Sequence, residues 1–374
     1  MMNKIKVMTV FGTRPEAIKM APLIKEMQRR TDNFTSITVV TAQHREMLDQ
    51  VLHSFNVEPD YDFNIMHQGQ TLNDITTEVL QKMTGVIQAT QPDIILVHGD
   101  TTTTLAASLA AFYQRKTLGH VEAGLRTWNK YSPYPEEMNR QMTDTLSDLY
   151  FAPTEQSRQN LLLENHSTKQ IFITGNTAID ALKDTVKSNF QHEVLEQVPA
   201  GQRMILVTMH RRENQGKRMY QVFQAMKDVL VVRPDVEIVY PVHLSPAVQK
   251  AAHEVFDDCA RVHLIEPLDV IDFHNLSARS YFIMTDSGGV QEEAPSLGKP
   301  VLVLRDTTER PEGVAAGTLK LVGTDYDRVK NEMLNLLDDP TEYQQMSQAS
   351  NPYGDGHASQ RILDAITEFF KEKK

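Results

Sequence analysis

Short apolar runs alternate with amphipathic segments along the first half of the chain. The runs are continuously apolar rather than alternating with polar residues, which is typical of strands that are covered on both faces. We predict buried strands at residues 5–11, 36–42, 93–99, 117–123, 149–153 and 170–175. Helix-like segments separate these strands. This βαβ pattern predicts a parallel, doubly wound sheet.

The same pattern restarts in the second half. Strands are predicted there at residues 203–209, 236–242, 261–265, 281–286, 300–304 and 319–322. We expect a first Rossmann-like domain over residues 1–186, a linker over 187–201, a second Rossmann-like domain over 202–356, and a C-terminal helix over 357–374 that crosses back to the first domain. The predicted fold class is therefore α/β, with two doubly wound domains facing a cleft. Ligands of such sheets bind outside the carboxyl ends of the strands.

Length and charge restrict the possible functions. The chain has 374 residues, enough for two domains. Its formal net charge of −11 argues against a general nucleic-acid binder, which needs a basic surface, but leaves a small anionic ligand possible.

Cysteine content and hydropathy further restrict the possible protein classes. The single cysteine, Cys259, leaves no internal disulfide or cysteine-based zinc site, and the histidines lack metal-ligand spacing. We expect no metal. The N-terminal apolar run is too short for a signal peptide, and no apolar window approaches membrane-spanning length. We therefore expect a cytoplasmic protein that does not associate with membranes.

The segment TDSGGVQEEAPSLGKPV contains a serine and two glycines, Ser287–Gly289, between a predicted strand and a helix. Glycines allow close backbone approach to a ligand, and free N–H groups at a helix start attract phosphate. The alternative is a tight turn that needs positive φ. Glu292 and Glu293 follow; a carboxylate in the first turn of a helix complements the helix dipole. Glu293 can instead accept hydrogen bonds from a ribose diol, so the segment suggests a nucleotide site.

The segment FGTRPEAIKMAP occupies the equivalent position in the first half. Thr13 and Glu16 have capping-box spacing, and Pro15 suits the first turn of a helix. These roles leave Arg14 and Lys19 unexplained. Both cations lie near the end of a strand, where they can bind a diphosphate. The alternative is that they are solvated surface charges.

Carboxylates follow several other predicted strands of the first half. Asp100 in HGDTTTT, Glu122 in HVEAGLRT, and Glu136 and Glu137 in YPEEMNRQ all lie at predicted strand ends or helix starts. Each alone can be explained as a helix cap. Three carboxylates that converge on one edge of a sheet fit general acid/base catalysis better.

Histidines and arginines occur at the strand ends of the second half. His210 and Arg211 follow its first predicted strand, and His243 and Arg310 follow later ones. A lone histidine at a strand end is often structural, but a histidine beside arginines favours a chemical role. The sequence contains neither GxxxxGK[ST] nor GxGxxG, which argues against an ATPase or a dehydrogenase.

Together, FGTRPEAIKMAP, TAQHREMLDQV, HGDTTTT, HVEAGLRT, PEEMNR, HRREN, YPVH, TDSGGVQEEAPSLGKPVLVLRDTTERPEG and NPYGDG cover essentially the whole chain. With these motifs the sequence resembles the bacterial non-hydrolysing UDP-N-acetylglucosamine 2-epimerases. The resemblance implies a glycosyltransferase-B type fold, a homodimer, and interconversion of UDP-GlcNAc and UDP-ManNAc for cell-surface polysaccharide. It also implies elimination of UDP to 2-acetamidoglucal, followed by re-addition, with no cofactor.

The resemblance assigns roles by motif position. The implied catalytic residues are Asp100, Glu122, Glu136 and His210. The implied diphosphate and substrate contacts are Arg14, Lys19, Ser287, Gly288, Gly289 and Arg310, with Glu293 at the ribose and Leu268 and Phe273 at the uracil. An activating second UDP-GlcNAc site is implied at Gln43, His44, Gln70, Arg211 and His243.

Several alternatives remain open from sequence. Motif position does not identify which carboxylate removes the C2 proton. A hydrolysing 2-epimerase or a UDP-sugar glycosyltransferase can use the same scaffold. A non-catalytic UDP-sugar sensor would keep the nucleotide residues, but would have no need for Asp100, Glu122, Glu136 and His210 together.

Overall fold

The structure is a computed structural model that describes residues 4–42, 45–67 and 69–372, with only the backbone for residues 45–47. The chain forms two compact units. The first comprises Met1–Asp184 and Tyr353–Lys374, and the second comprises Thr185–Pro352.

The first unit is built on a parallel sheet. Its described residues contain seven strands, namely β1 (Ile5–Phe11), β2 (Phe34–Val40), β3 (Tyr61–Asp62), β4 (Ile94–His98), β5 (Thr117–Val121), β6 (Leu149–Ala152) and β7 (Ile171–Ile173), in the spatial order β3-β2-β1-β4-β5-β6-β7. The helices are α1 (Arg14–Arg29), α2 (Arg45–Phe55), α3 (Leu72–Thr90), α4 (Thr102–Tyr113), α5 (Glu136–Leu146), α6 (Glu155–Leu163) and α7 (Thr177–Thr185). The central strands β1 and β4 are buried on both faces, as their continuous apolar runs predict.

The second unit repeats this architecture. Its described residues contain six parallel strands, namely β8 (Arg203–Thr208), β9 (Val236–Pro241), β10 (Val262–Ile265), β11 (Phe282–Thr285), β12 (Val301–Val303) and β13 (Leu319–Leu321), in the order β10-β9-β8-β11-β12-β13. The helices are α8 (Glu193–Gln197), α9 (Lys217–Val232), α10 (Pro246–Phe256), α11 (Val270–Arg279), α12 (Gly288–Glu293), α13 (Pro311–Ala315), α14 (Tyr326–Asp338) and α15 (Pro340–Gln348).

The predicted α/β fold class, with two doubly wound parallel sheets, is confirmed. Each of the twelve predicted strands coincides with an observed strand to within two residues at either end. The two-residue edge strand β3 was not predicted, because two residues carry too little periodicity to stand out.

The chain between the predicted domains is not a free linker. Residues 187–201 belong to the second unit and contain the helix α8. Phe190, Leu195 and Val198 pack against a hydrophobic cluster beneath that unit's sheet. The final helix, α16 (Ala358–Glu372), belongs to the first unit and contacts α1.

Each sheet has one point where the strand order reverses. In the first unit this point lies between β1 and β4, and in the second between β8 and β11. The loops that leave adjacent strands there turn in opposite directions, which opens a crevice at the carboxyl ends. Among the helices described, none is both long and apolar enough to span a membrane.

Candidate active site

The first unit presents Asp100 at its reversal point, just beyond β4. The simple helix-cap explanation for Asp100 is wrong, because the N-cap of α4 is Thr101, whose hydroxyl accepts from a backbone N–H. The Asp100 carboxylate instead accepts a hydrogen bond from Arg140, at 2.7 Å. Burial raises the pKa of Asp100 above its ordinary value, and the nearby carboxylates of Glu122 and Glu136 raise it further. The charge of Arg140 opposes this rise.

Glu16 connects the loops that follow β1 and β4. The predicted capping box is confirmed, and one Glu16 oxygen accepts the Thr13 N–H at 2.8 Å. The other oxygen accepts the hydroxyls of Thr101 and Thr104, at 2.7 and 3.1 Å. Burial raises the pKa of Glu16, although these hydrogen bonds oppose the shift. The carboxylate thus fixes the frame that carries Asp100.

Lys19 and Glu122 lie together. The Lys19 ammonium forms an ion pair with the Glu122 carboxylate, and Asn176 Nδ2 donates to the same oxygen at 3.1 Å. The Lys19 side chain is only 17% exposed, so its alternative interpretation as a solvated surface charge is wrong. Glu122 has a φ of +67°, which is a strained conformation for a residue with a side chain. Arg14 is half-buried in the first turn of α1.

The adjacent acids Glu136 and Glu137 have different environments. Glu136 is the half-buried first residue of α5, and its carboxylate makes no hydrogen bond to another described side chain or backbone group. Glu137 is fully buried and accepts the backbone N–H groups of Thr127 and Trp128, both at 3.0 Å. Burial alone would raise the pKa of Glu137, but these hydrogen bonds outweigh it and lower the pKa. Glu137 therefore shapes the loop before α5.

Three residues of this region were not singled out from sequence: His98, Arg140 and Asn176. His98 ends β4, and its buried ring lies beside Glu122, with Nε2 3.6 Å from a carboxylate oxygen. Its position at the end of an apolar run, directly before Gly99-Asp100, was the sequence signal that could have identified it as a site residue. The other two come from separate segments, and only the fold brings them to these carboxylates.

Asp286 organises the reversal point of the second unit. Its buried carboxylate accepts the backbone N–H groups of His210 and Arg211, at 3.0 and 2.9 Å, and the Asn214 amide at 3.0 Å. Asp286 was not among the residues predicted from sequence, although a lone carboxylate that ends an apolar run was a signal. Asp286 holds the loop after β8 against the end of β11.

His210, Arg211 and His243 lie together, on adjacent loops at this edge of the sheet. The His210 and His243 rings stack with their centroids 5.2 Å apart. Burial lowers the pKa of His210, the charge of Asp286 opposes this, and His243 and Arg211 reinforce the lowering. The Arg211 side chain donates to the Asp286 carbonyl at 2.8 Å.

Ser287, Gly288 and Gly289 form the start of α12, with Ser287 at the N-cap. The tight-turn explanation is wrong, because neither glycine has a positive φ. A Cβ atom on Gly288 would lie 3.3 Å from the guanidinium carbon of Arg310. A glycine here therefore permits close approach rather than an unusual backbone, and the structure brings Gly288 and Arg310 together.

The two acids of α12 lie at its carboxyl end. The helix-dipole explanation is wrong, since the first turn contains no acidic residue. Glu292 is buried and accepts from Arg310 Nε at 2.7 Å, so it orients that guanidinium. Glu293 is less buried, and its carboxylate lies 3.4 Å from His274 Nε2.

Leu268 and Phe273 both pack, partly buried, against the same cluster beneath the second sheet. Leu268 also lines a cavity of about 530 Å³, and Phe273 is not among its lining residues.

In the first unit, Gln70 donates to the Ile65 carbonyl at 2.7 Å. Gln43 and His44 lie outside the described residues. Within the part of the chain that is described, no three His, Cys, Asp or Glu side chains are placed to hold a metal ion.

Comparison with known proteins identifies the family. The family model for UDP-N-acetylglucosamine 2-epimerase matches residues 25–367. The chain belongs to the UDP-N-acetylglucosamine 2-epimerase family. A UDP-N-acetylglucosamine 2-epimerase from Bacillus subtilis strain 168 is 60% identical over 373 residues, which cover 100% of this chain and 98% of that protein.

Solved structures of UDP-N-acetylglucosamine 2-epimerases share the fold. One such structure superposes with a TM-score of 0.93 at 59% identity, covering 100% of this chain and 98% of the other. The UDP-GlcNAc 2-epimerase from Neisseria meningitidis, bound to UDP-GlcNAc, has a TM-score of 0.85 at 48% identity, covering 97% of this chain and 100% of the other. The resemblance seen in the sequence motifs is confirmed.

Proposed function

We propose that this protein interconverts UDP-GlcNAc and UDP-ManNAc by inverting C2 of the sugar. The observation that carries the proposal is the pair of carboxylates at the carboxyl ends of β4 and β5, where Asp100 and Glu122 each have a cationic partner. Arg140 is paired with the former and Lys19 with the latter. Family membership supports the same activity, as does the UDP-GlcNAc bound to the Neisseria meningitidis relative.

The second unit is proposed to bind the UDP moiety. The N–H groups of Gly288 and Gly289, the Ser287 side chain and the Arg310 guanidinium are suited to phosphate oxygens, whereas the Ser287 N–H already donates to Thr285 Oγ1 at 2.9 Å. Glu292 supports this role of Arg310 by holding its Nε. Glu293 is proposed to accept the ribose hydroxyls, and Leu268 and Phe273 to contact the uracil, as the family resemblance implies.

The proposed chemistry is elimination and re-addition of UDP. The C2 hydrogen is not acidic in the intact sugar, because no carbonyl group lies beside it. Departure of the diphosphate makes C1 oxocarbenium-like and acidifies C2, so loss of the proton gives 2-acetamidoglucal. UDP then adds back to C1 while a proton reaches the opposite face of C2. Cations such as Arg14 and Lys19 would stabilise the leaving diphosphate, the largest charge that develops.

The two faces of C2 require at least two acid/base groups or one mobile group, and the environments of Asp100 and Glu122 differ in a way that suits two groups. The raised pKa of Asp100 suits a group that holds and returns a proton. Glu122 forms an ion pair with Lys19, which suits it to proton removal or to stabilisation of positive charge at C1. Glu136 and His210 complete the proposed catalytic set.

Regulation and assembly are also part of the proposal. UDP-GlcNAc is proposed to act as its own activator at a second site that includes Gln43, His44, Gln70, Arg211 and His243. The protein is further proposed to be a cytoplasmic homodimer. Velocity that is sigmoidal in UDP-GlcNAc, and near silence with pure UDP-ManNAc until UDP-GlcNAc is added, would support the activating site. Light scattering after gel filtration would measure the dimer.

The test is proton NMR of the purified protein with UDP-GlcNAc in D₂O. We expect the anomeric signal of UDP-ManNAc to grow while deuterium enters C2 of both sugars. Release of free ManNAc with UDP would indicate a hydrolysing enzyme, and no turnover despite UDP-GlcNAc binding would indicate a sensor. Product that forms only with added NAD and carries no deuterium would contradict the elimination mechanism.

A further inference from the structure

His98 has an unusual environment for a buried polar side chain. It is the last residue of β4, and its side chain is only 4% exposed. Neither ring nitrogen has a hydrogen-bond partner among the residues that the structure describes. Buried polar groups without partners lower the free energy of unfolding and are rare in folded proteins, so a functional explanation for the buried His98 ring is warranted.

The charged and titratable groups around His98 come from α1 and from β5 with the loop that follows it. Glu122 follows β5, Lys19 comes from α1, and His120 lies within β5. His98 Nε2 is 3.6 Å from Glu122 Oε2, which is too long for a hydrogen bond but less than 1 Å beyond a normal one. That oxygen already accepts from Asn176 and pairs with Lys19.

The His98 ring is neutral. Burial lowers its pKa to about 3, the charge of Glu122 opposes this, and the charges of Lys19 and His120 reinforce it. A neutral imidazole carries one N–H and one acceptor nitrogen. With the proton on Nε2, the N–H faces the Glu122 carboxylate and adds no positive charge to the site.

Lys19 has two competing tasks under the proposed function. Its ammonium pairs with Glu122 in this structure, and the same ammonium is proposed to bind the substrate diphosphate. A diphosphate that draws Lys19 away would leave Glu122 more basic, because a neighbouring cation stabilises the ionised carboxylate. It would also remove one of the contacts that hold a side chain on a strained backbone.

We propose that His98 is a positioning residue that donates its Nε2–H to Glu122 when the diphosphate engages Lys19. This inference rests on the proposed function, because it assigns Lys19 to the diphosphate and Glu122 to the chemistry. The exchange replaces a cationic partner of Glu122 by a neutral one. The carboxylate keeps its orientation through a hydrogen bond to a charged acceptor, while its ability to accept a proton increases.

The first test observes the ring directly and needs no turnover. The protein is labelled with ¹⁵N-histidine, and the His98 signals are identified by their loss in His98→Gln. We expect the Nε2–H tautomer in the free protein and a downfield shift of that proton when saturating UDP is added. An Nδ1–H tautomer, or an Nε2–H signal that does not move with UDP, would overturn the proposal.

The second test separates positioning from packing. His98→Phe places a somewhat larger apolar ring at the same position and removes both unpartnered nitrogens, so a merely structural role predicts a melting temperature and a kcat close to or above those of wild type. We expect the melting temperature of His98→Phe to be no lower than that of wild type. Its kcat should be lower by about ten- to hundredfold, with KM and UDP affinity changed less than threefold. His98→Gln, which retains an N–H donor, should recover part of kcat.

The outcomes distinguish this inference from the proposed function. A wild-type protein that epimerises UDP-GlcNAc, together with a fully active His98→Phe, contradicts the role of His98 alone. A wild-type protein that binds UDP but does not epimerise contradicts the proposed function, and the histidine signals then decide the inference. The acidic limb of the kcat profile against pH should also shift in His98→Phe, because the neighbour of Glu122 has changed, and an unchanged limb would count against the proposal.

Discussion

At the residue scale, Asp100 and Glu122, the two carboxylates of the first unit that are proposed to act as acid and base, differ through their neighbours. Asp100 is paired with Arg140 but has a raised pKa, because burial and the nearby acids outweigh that charge. Glu122 is held by Lys19 and Asn176. Pairs of titratable groups whose environments separate their protonation states are how enzymes divide acid and base tasks at one pH.

Neutralising either carboxylate should therefore lower turnover rather than nucleotide binding. We expect Asp100→Asn and Glu122→Gln to lower kcat by about a hundredfold or more, as for general acid/base groups, with UDP affinity nearly unchanged. Glu293→Ala is the matched control and should weaken UDP binding first. NMR turnover and UDP calorimetry measure these quantities. Because Thr101 rather than Asp100 caps α4, an Asp100→Asn protein with normal turnover and only a lower melting temperature would contradict the assignment.

His98 should also make stability depend on pH. Its pKa is about 3 in the folded protein, below its ordinary value of 6.5, so the unfolded chain binds a proton first as the pH falls. The stabilising contribution is complete above about pH 6.5 and decreases continuously down to about pH 3. At pH 5 the loss is about 2 kcal/mol.

The comparison that isolates this effect uses His98→Phe. Urea unfolding at pH 8 and pH 5 should show wild type losing about 2 kcal/mol more than the variant, since phenylalanine does not titrate. The difference between the two proteins is the relevant quantity, because titrating groups that do not lie beside position 98 contribute equally to both. Equal losses in both proteins would show that the ring is protonated as easily in the folded state.

At the element scale, β5, which leads directly into Glu122, is tightly packed at Gly119. A Cβ atom on Gly119, within β5, would lie 2.6 Å from a methyl group of Leu96 and 3.0 Å from the ring of Phe151. Both neighbours are fully buried, so neither can move without disturbing the core. Gly85, in the exposed face of α3, has no atom within 4 Å of the same position.

The two glycines therefore predict opposite effects of the same substitution. Gly119→Ala should destabilise the first unit by about 1–3 kcal/mol through overpacking. Gly85→Ala should stabilise it by about 0.5–1 kcal/mol, because alanine loses less conformational entropy in a helix. Urea midpoints of both variants provide the measurement. A destabilised Gly85→Ala protein would show that α3 has a neighbour at that position.

At the scale of the whole molecule, the first unit depends on two distant parts of the chain. Asp180 accepts the backbone N–H groups of Ala358 and Ser359, at 3.1 and 2.8 Å, and so binds the start of α16. Ile362 and Ile366 of α16 are fully buried. The second unit consists of one continuous stretch, Thr185–Pro352, with its own hydrophobic clusters.

This organisation predicts how fragments behave. A fragment of residues 185–352 should fold cooperatively, because its core is complete. A fragment of residues 1–184 should not, because it lacks the apolar face of α16, and adding a peptide of residues 353–374 should restore folding. Circular dichroism during thermal unfolding is the measurement. Cooperative unfolding of 1–184 alone would show that α16 is dispensable.

The sequence alone determined the strands, the parallel fold class and the segments that carry the candidate site. Continuous apolar runs identify strands covered on both faces, and parallel strands bring the residues at their carboxyl ends to one edge of a sheet. Arg14, Asp100, Glu122, His210 and Ser287 could therefore be selected from their positions beside such runs. The boundary between the units was harder to predict from sequence, because residues 187–201 lack periodicity and yet pack on the second unit through Phe190, Leu195 and Val198.

Only the tertiary structure decided which of these side chains are partners. Lys19 and Glu122 are 103 residues apart, and their pairing depends on the order β1-β4-β5 and on the helix that follows β1. The burial of His98, and the hydrogen bonds that the Asp286 carboxylate accepts from backbone N–H groups, likewise depend on neighbours from other strands. The hydrophobic pattern of a segment indicates which of its faces are buried. Which side chains become partners depends on strand order and register, and the pattern within one segment does not encode these.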